Sequence, residues 1–172
     1  MTEERTGIVS MGGKPMTLLG PKLKKGDTAP DFAVLDNALK PVRLGDSKGK
    51  IRLLSSVPSL DTEVCALETE KFNKEAKKLS KNVVVYTISM DLPFAQKRWA
   101  EENEISNVIT LSDFNSADFG KKYGVLLKEL RLLTRAVIVV DTNDRIADFQ
   151  IVPEISNEPD YARTLEVIKN LS

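Results

Sequence analysis

The chain contains no histidine and a single cysteine, Cys65, among its 172 residues. Without histidine, Ser-His and Cys-His catalytic pairs cannot form, and zinc sites built on imidazole are excluded. One cysteine can neither close a disulfide within the chain nor supply a thiolate cage for a metal. The sequence therefore predicts no metal or other cofactor, and any redox chemistry of Cys65 must involve a second molecule.

An excess of charge of one sign and long apolar runs are also lacking. Lys and Arg number 25, as do Asp and Glu, so the formal net charge is zero and no global field would attract nucleic acid or an anionic membrane. No apolar stretch approaches the ~18 residues of a membrane span. Residues 1–10 carry charges and no apolar core of signal-peptide length. We therefore expect a cytoplasmic protein that binds neither membranes nor nucleic acid.

The length and the spacing of turns predict one domain over residues 1–172. A chain of this size buries about two-thirds of its unfolded surface in a single core, and no repeat, low-complexity tract or linker divides it. Short extended segments between Gly- and Asp-rich turns predict an N-terminal β layer, made of residues 16–19, 32–35 and 41–44.

From residue 51 onward, strand and helix patterns alternate. The predicted strands are 51–57, 83–89 and 108–111, and the predicted helices are 62–79, 93–103 and 116–123. Asp91 is expected to cap the second helix, with Pro93 in its first turn.

The last part of the chain predicts a hairpin and a final helix. The turn signal at 142–144 separates the apolar strand 136–141 from a second strand, 145–152. A helix beginning at Pro159 repeats Tyr161, Leu165 and Ile168 on one face. The elements together predict an α/β sandwich with a central mixed sheet flanked by helices.

Cys65 lies at the start of the first long helix, after a strand and a proline-bearing loop. It shares one inward face with Phe72, Ala76 and Leu79, so one interpretation is a small buried hydrophobic side chain. In the first helical turn, however, unpaired N–H groups and the positive end of the helix dipole favour a thiolate. Thr62, about one turn earlier, could cap the helix, approach the sulfur, or do both.

The residues around Cys65 match a known motif. Pro58, Thr62 and Cys65 fit Pro-x-x-x-Thr-x-x-Cys, the active-site pattern of peroxiredoxins. The longer run 57–65 resembles the bacterial thiol peroxidases, which are atypical two-cysteine members of that superfamily. Further similar segments are 26–32, 91–96, 129–137 and 158–161. The similarity therefore covers nearly the whole chain.

This resemblance implies a thioredoxin-like sandwich with an N-terminal β extension, and a peroxidase that reduces hydrogen peroxide and organic hydroperoxides through a Cys65 sulfenic acid. It implies that Arg135 keeps Cys65 ionised and stabilises the shifting charge. It also implies that Thr62 aligns the sulfur with the O–O bond and that Pro58 shields the pocket from water. Without the motif, Arg135 would be interpreted as a solvated charge at a strand end. A homodimer and thioredoxin as reductant are implied as well.

One position departs from the family pattern. Thiol peroxidases usually carry a second, resolving cysteine directly after Phe-Ala-Gln-x-Arg-aromatic, but here Ala100 follows Trp99. Either the natural protein works with one cysteine, or the alanine was introduced to block resolution. In both cases thioredoxin or another outside thiol must attack the sulfenic acid directly, and a longer-lived sulfenic acid is more exposed to over-oxidation.

Two other function classes stay open on the sequence. Cys65 could act as a redox sensor or relay that forms mixed disulfides with partner proteins, or the chain could be a catalytically silent binding module. Trp99 and the loop 126–132 could contribute to an interface or pack in the core, which is the commoner fate of scattered apolar residues.

Overall fold

A computed structural model describes residues 2–172, which form two sheets flanked by helices. The strands are β1 (Glu4–Met11), β2 (Lys14–Leu19), β3 (Ala33–Leu35), β4 (Pro41–Arg43), β5 (Ile51–Ser56), β6 (Val83–Ser89), β7 (Ile109–Ser112), β8 (Leu126–Leu127), β9 (Ala136–Val140) and β10 (Ile146–Ile151). The helices are α1 (Glu63–Ala76), α2 (Pro93–Glu102), α3 (Asp118–Lys122) and α4 (Tyr161–Leu171), with a 3-10 helix at Leu44–Ser47.

The larger sheet has seven strands in the order β10-β9-β5-β6-β7-β3-β4. Strands β5, β6 and β7 are parallel, whereas the other neighbouring pairs are antiparallel. Every residue of the interior strand β5 is buried, as expected of a strand covered on both faces. This mixed sheet confirms the predicted α/β sandwich.

Alternation along β5 sends side chains to two separate cores, because successive residues of a strand point to opposite faces. Leu53 packs in a cluster with Phe72 of α1 and Ile168 of α4. Leu54 packs on the other face, in the cluster that contains Phe119 of α3. Helices α1 and α3 therefore lie on opposite faces of the sheet. Helix α1 follows β5 in the chain and packs on the face that carries Leu53.

The N-terminal prediction is partly wrong. Residues 16–19 lie in β2, which forms a separate three-stranded sheet, β1-β2-β8, so a β extension is present. The segments 32–35 and 41–44 belong instead to the central sheet, as β3 and β4, through the pairing of Leu35 with Ser112. This pairing joins distant parts of the chain and leaves no local signal. Strand β1 escapes prediction because most of its residues are exposed or only partly buried.

Several helix boundaries also differ from the predictions. Helix α1 ends at Ala76 rather than at residue 79, and α3 begins at Asp118 because Ala117 has a left-handed backbone, with φ of 54°. Leu92, not Asp91, is the N-cap of α2. The carboxylate of Asp91 is bonded instead to the loop between β5 and α1.

The predicted hairpin is confirmed, and the last helix is present but begins at Tyr161 rather than at Pro159. Strands β9 and β10 pair antiparallel, with Val140 opposite Ile146. The side chain of Asp160 caps α4 by accepting a hydrogen bond from Arg163 N at 3.0 Å. Within residues 2–172, no helix has the length and apolarity needed to cross a membrane.

Asp113 is a buried carboxylate that orders α3. It accepts hydrogen bonds from Phe119 N at 3.1 Å and Gly120 N at 2.8 Å, yet burial raises the pKa of Asp113 from 3.8 to about 6. The carboxyl group of Asp113 thus binds its proton more tightly in the folded protein than in the unfolded chain. Stability from this proton is fully present below pH 3.8 and is lost as the pH rises through about 6.

We therefore predict a pH dependence that the Asp113→Asn variant lacks. Between about pH 4 and about pH 7, the free energy of unfolding of the wild type should fall by about 2 kcal/mol relative to the variant. Urea denaturation of both proteins across this range measures the difference. A difference that does not change with pH would contradict the assignment.

Candidate active site

Cys65 occupies the first turn of α1, as predicted, and its side chain is fully buried, with 0% exposed. It packs in a small apolar cluster with Val57, Leu60 and Trp99. The predicted inward orientation of Cys65 is thus observed. Its predicted place in the first helical turn is observed too, where backbone N–H groups and the helix dipole favour an anion.

Arg135 lies directly beside the sulfur. The antiparallel pairing of β5 with β9 sets Ser56 opposite Ala136, so the residue before β9 comes next to the loop that follows β5. Its Nη2 is 3.2 Å from Cys65 Sγ, and only 2% of Arg135 is exposed. A solvated charge at a strand end is therefore the wrong interpretation of this arginine.

The guanidinium of Arg135 is fixed by two further acceptors. Its Nε donates to the carbonyl oxygen of Ile155 at 2.8 Å, and its Nη1 lies 2.6 Å from Oε2 of Glu68. Because the guanidinium is planar, these two bonds leave the Nη2 edge no orientation other than toward the sulfur. Burial lowers the pKa of Arg135, but the charges of Glu68 and Cys65 outweigh this effect and raise it above its usual value. Arg135 is therefore a permanent cation at the sulfur.

Glu68 is a site residue that the sequence does not single out. It lies on α1 three positions after Cys65, is fully buried, and accepts a hydrogen bond from Ser55 Oγ at 2.9 Å. Burial raises the pKa of Glu68, although the positive charge of Arg135 opposes the shift. The only signal in the sequence is a glutamate one helical turn after Cys65, on the inward face of α1, where a buried acid requires a partner.

Thr62 holds the N-cap position but does not make the predicted side-chain cap. Its hydroxyl donates to the carbonyl oxygen of Ser59 at 2.8 Å, so its proton is not available to the sulfur. Within residues 2–172, Arg135 supplies the side-chain hydrogen bond to Cys65 Sγ. Thr62 is exposed, whereas Pro58 is buried at the start of the same loop.

Ala100, where the family resemblance would place a resolving cysteine, lies in α2 and packs against the cluster that holds Cys65. Its neighbour Trp99 is buried in that cluster, which favours core packing over an interface for this residue. In the loop 126–132, Leu126 and Leu127 are also buried, as β8, while Leu130 is 43% exposed.

The described part of the chain, residues 2–172, contains no group of three or more Cys, Asp or Glu side chains that could hold a metal ion. The site itself holds a buried thiol beside a fixed cation. A cation beside a cysteine favours the thiolate, which is the nucleophilic form of the side chain.

Comparisons with known proteins agree with this geometry. The family model described as Redoxin matches residues 24–165. A thiol peroxidase from Oceanobacillus iheyensis is 55% identical over 157 residues, which cover 91% of this chain and 95% of the relative. A thiol peroxidase from Bacillus subtilis is 48% identical over 163 residues, covering 95% and 97%.

Solved structures are similar over the full length. A peroxiredoxin-like protein from Aquifex aeolicus superposes with a TM-score of 0.91 at 42% identity and covers 99% of both chains. A thiol peroxidase from Chromobacterium violaceum superposes with a TM-score of 0.84 over 94% of this chain and 95% of its own, at 21% identity. These structures confirm the predicted thioredoxin-like sandwich.

Proposed function

Since this chain belongs to the Redoxin family, and within it to the bacterial thiol peroxidases, we propose that it reduces hydrogen peroxide and organic hydroperoxides with Cys65. One observation carries the assignment of the residue. Arg135 Nη2 lies 3.2 Å from Cys65 Sγ in a site where both side chains are buried. A cation held at that distance stabilises the thiolate that must attack the peroxide.

In the first step, the Cys65 thiolate attacks one peroxide oxygen and the O–O bond breaks. The sulfur gains a hydroxyl group as sulfenic acid, and the other oxygen leaves with the electron pair and takes a proton from solvent, giving water or an alcohol. Negative charge moves from the sulfur to the departing oxygen, and the Nη2 edge of Arg135 faces the point where this shift begins.

Thr62 and Pro58 are proposed to shape the approach of the peroxide. Because the Thr62 hydroxyl gives its proton to Ser59 O, its oxygen lone pairs are free to accept the O–H of a peroxide. This bond would orient the O–O axis toward Cys65 for in-line displacement. The buried ring of Pro58 would keep bulk water away from the sulfur.

The second step must use a thiol from another molecule, because Cys65 is the single cysteine. That thiol attacks the sulfenic sulfur, water leaves, and a mixed disulfide forms; a further thiol then displaces Cys65 and regenerates it. We propose thioredoxin or another cellular thiol for this role.

We further propose that residues 1–172 act as one domain in a cytoplasmic homodimer. Leu92 and Phe94 at the start of α2 are 50% and 65% exposed. Large apolar side chains exposed next to each other support a protein interface at this end of the molecule. Light scattering of the purified protein tests the dimer directly.

Turnover of peroxide with an added thiol tests the proposed function. The reduced protein should consume many equivalents of hydrogen peroxide when thioredoxin with its reductase, or dithiothreitol, is supplied. The Cys65→Ser variant should consume none above background, since oxygen at this position lacks the thiolate nucleophile. Consumption that stops after one equivalent with every thiol would contradict a peroxidase.

A further inference from the structure

We propose that Asp91 is a positioning residue for the peroxide reaction. Its carboxylate holds the loop between Pro58 and Cys65 in the conformation that orients Thr62 and closes Leu60 over the sulfur. The proposal rests on the function proposed for Cys65. The sequence alone predicts only that Asp91 caps a helix.

Three donors converge on the Asp91 carboxylate. Oδ1 accepts from Ser59 Oγ at 2.7 Å, while Oδ2 accepts from Leu60 N at 2.8 Å and from Ser89 Oγ at 2.7 Å. The first two donors belong to the active-site loop, 32 and 31 residues away in the chain. The third belongs to the end of β6, so the carboxylate joins the loop to the central sheet.

Asp91 is itself anchored on the side away from the loop. Its carbonyl oxygen accepts a hydrogen bond from Ser112 Oγ, at the end of β7. The Ser89 hydroxyl that donates to Asp91 accepts in turn from Gln96 Nε2 of α2, at 2.9 Å. Asp91 is thus hydrogen-bonded to β6 and β7, and through Ser89 to α2. These elements therefore fix where the carboxylate holds the loop.

The loop carries this constraint to the reaction site by two routes. Ser59 is held through its side chain, and its carbonyl oxygen accepts both the N–H of Thr62, at 3.1 Å, and the Thr62 hydroxyl, at 2.8 Å. Leu60 is held through its backbone N–H, and its side chain, 3% exposed, packs in the cluster around Cys65. Loss of the carboxylate would release both residues together.

A carboxylate suits this position because it only accepts hydrogen bonds. Asparagine offers one acceptor oxygen, and its amide N–H on the other side would have to donate to the Ser59 hydroxyl oxygen, which already accepts from Asp61 N at 3.2 Å. Hydrogen bonds to an ionised acceptor are also roughly twice as strong as neutral ones. Asp91→Asn should therefore retain part of the function of Asp91, and Asp91→Ala none.

The test compares two reagents on Cys65: hydrogen peroxide, which needs the aligned loop, and iodoacetamide, which does not. Asp91→Ala should lower the rate constant for hydrogen peroxide by up to about 100-fold, and Asp91→Asn by a smaller factor. The rate constant for iodoacetamide should stay the same or rise, because the loop opens. Asp46→Ala is the matched control, since the Asp46 carboxylate holds a different loop through Arg43 N, and it should leave both rates unchanged.

A double-mutant cycle identifies the route. In a Thr62→Val background, Asp91→Ala should slow peroxide much less than it does in the wild type, because both changes act on one alignment. Full additivity, or equal slowing of both reagents, would overturn the proposal and leave Asp91 a merely stabilising residue. If the wild type reacts with peroxide no faster than a free thiol, the proposed function is wrong. If the wild type reacts fast and Asp91→Ala reacts equally fast, the function stands and only the role of Asp91 is wrong.

Discussion

Replacing Arg135 with methionine should slow the reaction of Cys65 with hydrogen peroxide by about 100-fold to 1,000-fold. The guanidinium lies 3.2 Å from Sγ, so its removal leaves both the thiolate and the departing oxygen without a counter-charge in a buried site. Stopped-flow fluorescence of the reduced protein with excess peroxide measures the rate constant.

Two companion variants separate charge from packing. Arg135→Met leaves Glu68 buried without its cation, which alone costs about 3–5 kcal/mol of stability; the double variant Arg135→Met with Glu68→Gln should recover stability but not the rate. Arg163→Met removes an arginine that is paired with Asp148 rather than with the sulfur, and should leave the rate unchanged. A wild-type rate in the Arg135→Met single variant would contradict the role of this cation.

The second large effect concerns the missing resolving cysteine. In Ala100→Cys, oxidation by one equivalent of peroxide should yield an intramolecular disulfide with Cys65 instead of a lasting sulfenic acid. Ala100 packs against the same apolar cluster as Cys65, so the introduced thiol meets the sulfur at a high effective concentration. Turnover with thioredoxin should rise by about 10-fold or more, and over-oxidation should decrease.

Mass spectrometry under non-reducing conditions, with and without a sulfenic-acid reagent, distinguishes the two products. Ala162→Cys is a suitable control, because Ala162 is exposed on the helix α4 and lies outside the cluster. If the sulfenic acid is trapped as readily in Ala100→Cys as in the wild type, position 100 does not serve resolution in this fold.

The parts of the fold that the sequence predicts well are those with dense local patterns. The apolar run of β5, the β-branched run of β6 and the Asn-Asp turn between β9 and β10 each carry their own signal. The segments β3 and β4 are correctly extended but wrongly placed, because only pairing with β7, far along the chain, assigns them to the central sheet. Long-range register of this kind leaves no trace in a local pattern.

The candidate site shows the same division. Cys65 and its position in the first helical turn follow from the loop and the spacing around it. Arg135 needs the family motif, because nothing local distinguishes it from the other cations of the chain. Glu68 and Asp91 act through partners in other elements, Arg135 in one case and the loop at Ser59 in the other. Only the folded contacts identify such residues.

The most direct test of the account is the rate at which the reduced wild-type protein reacts with one equivalent of hydrogen peroxide. Rapid fluorescence follows the reaction, and a sulfenic-acid reagent with mass spectrometry identifies the product. We predict stoichiometric labelling at Cys65 with a rate constant at least about 1,000-fold above that of a free thiol. Labelling that is no faster than that of a free thiol would contradict a peroxidatic role for Cys65.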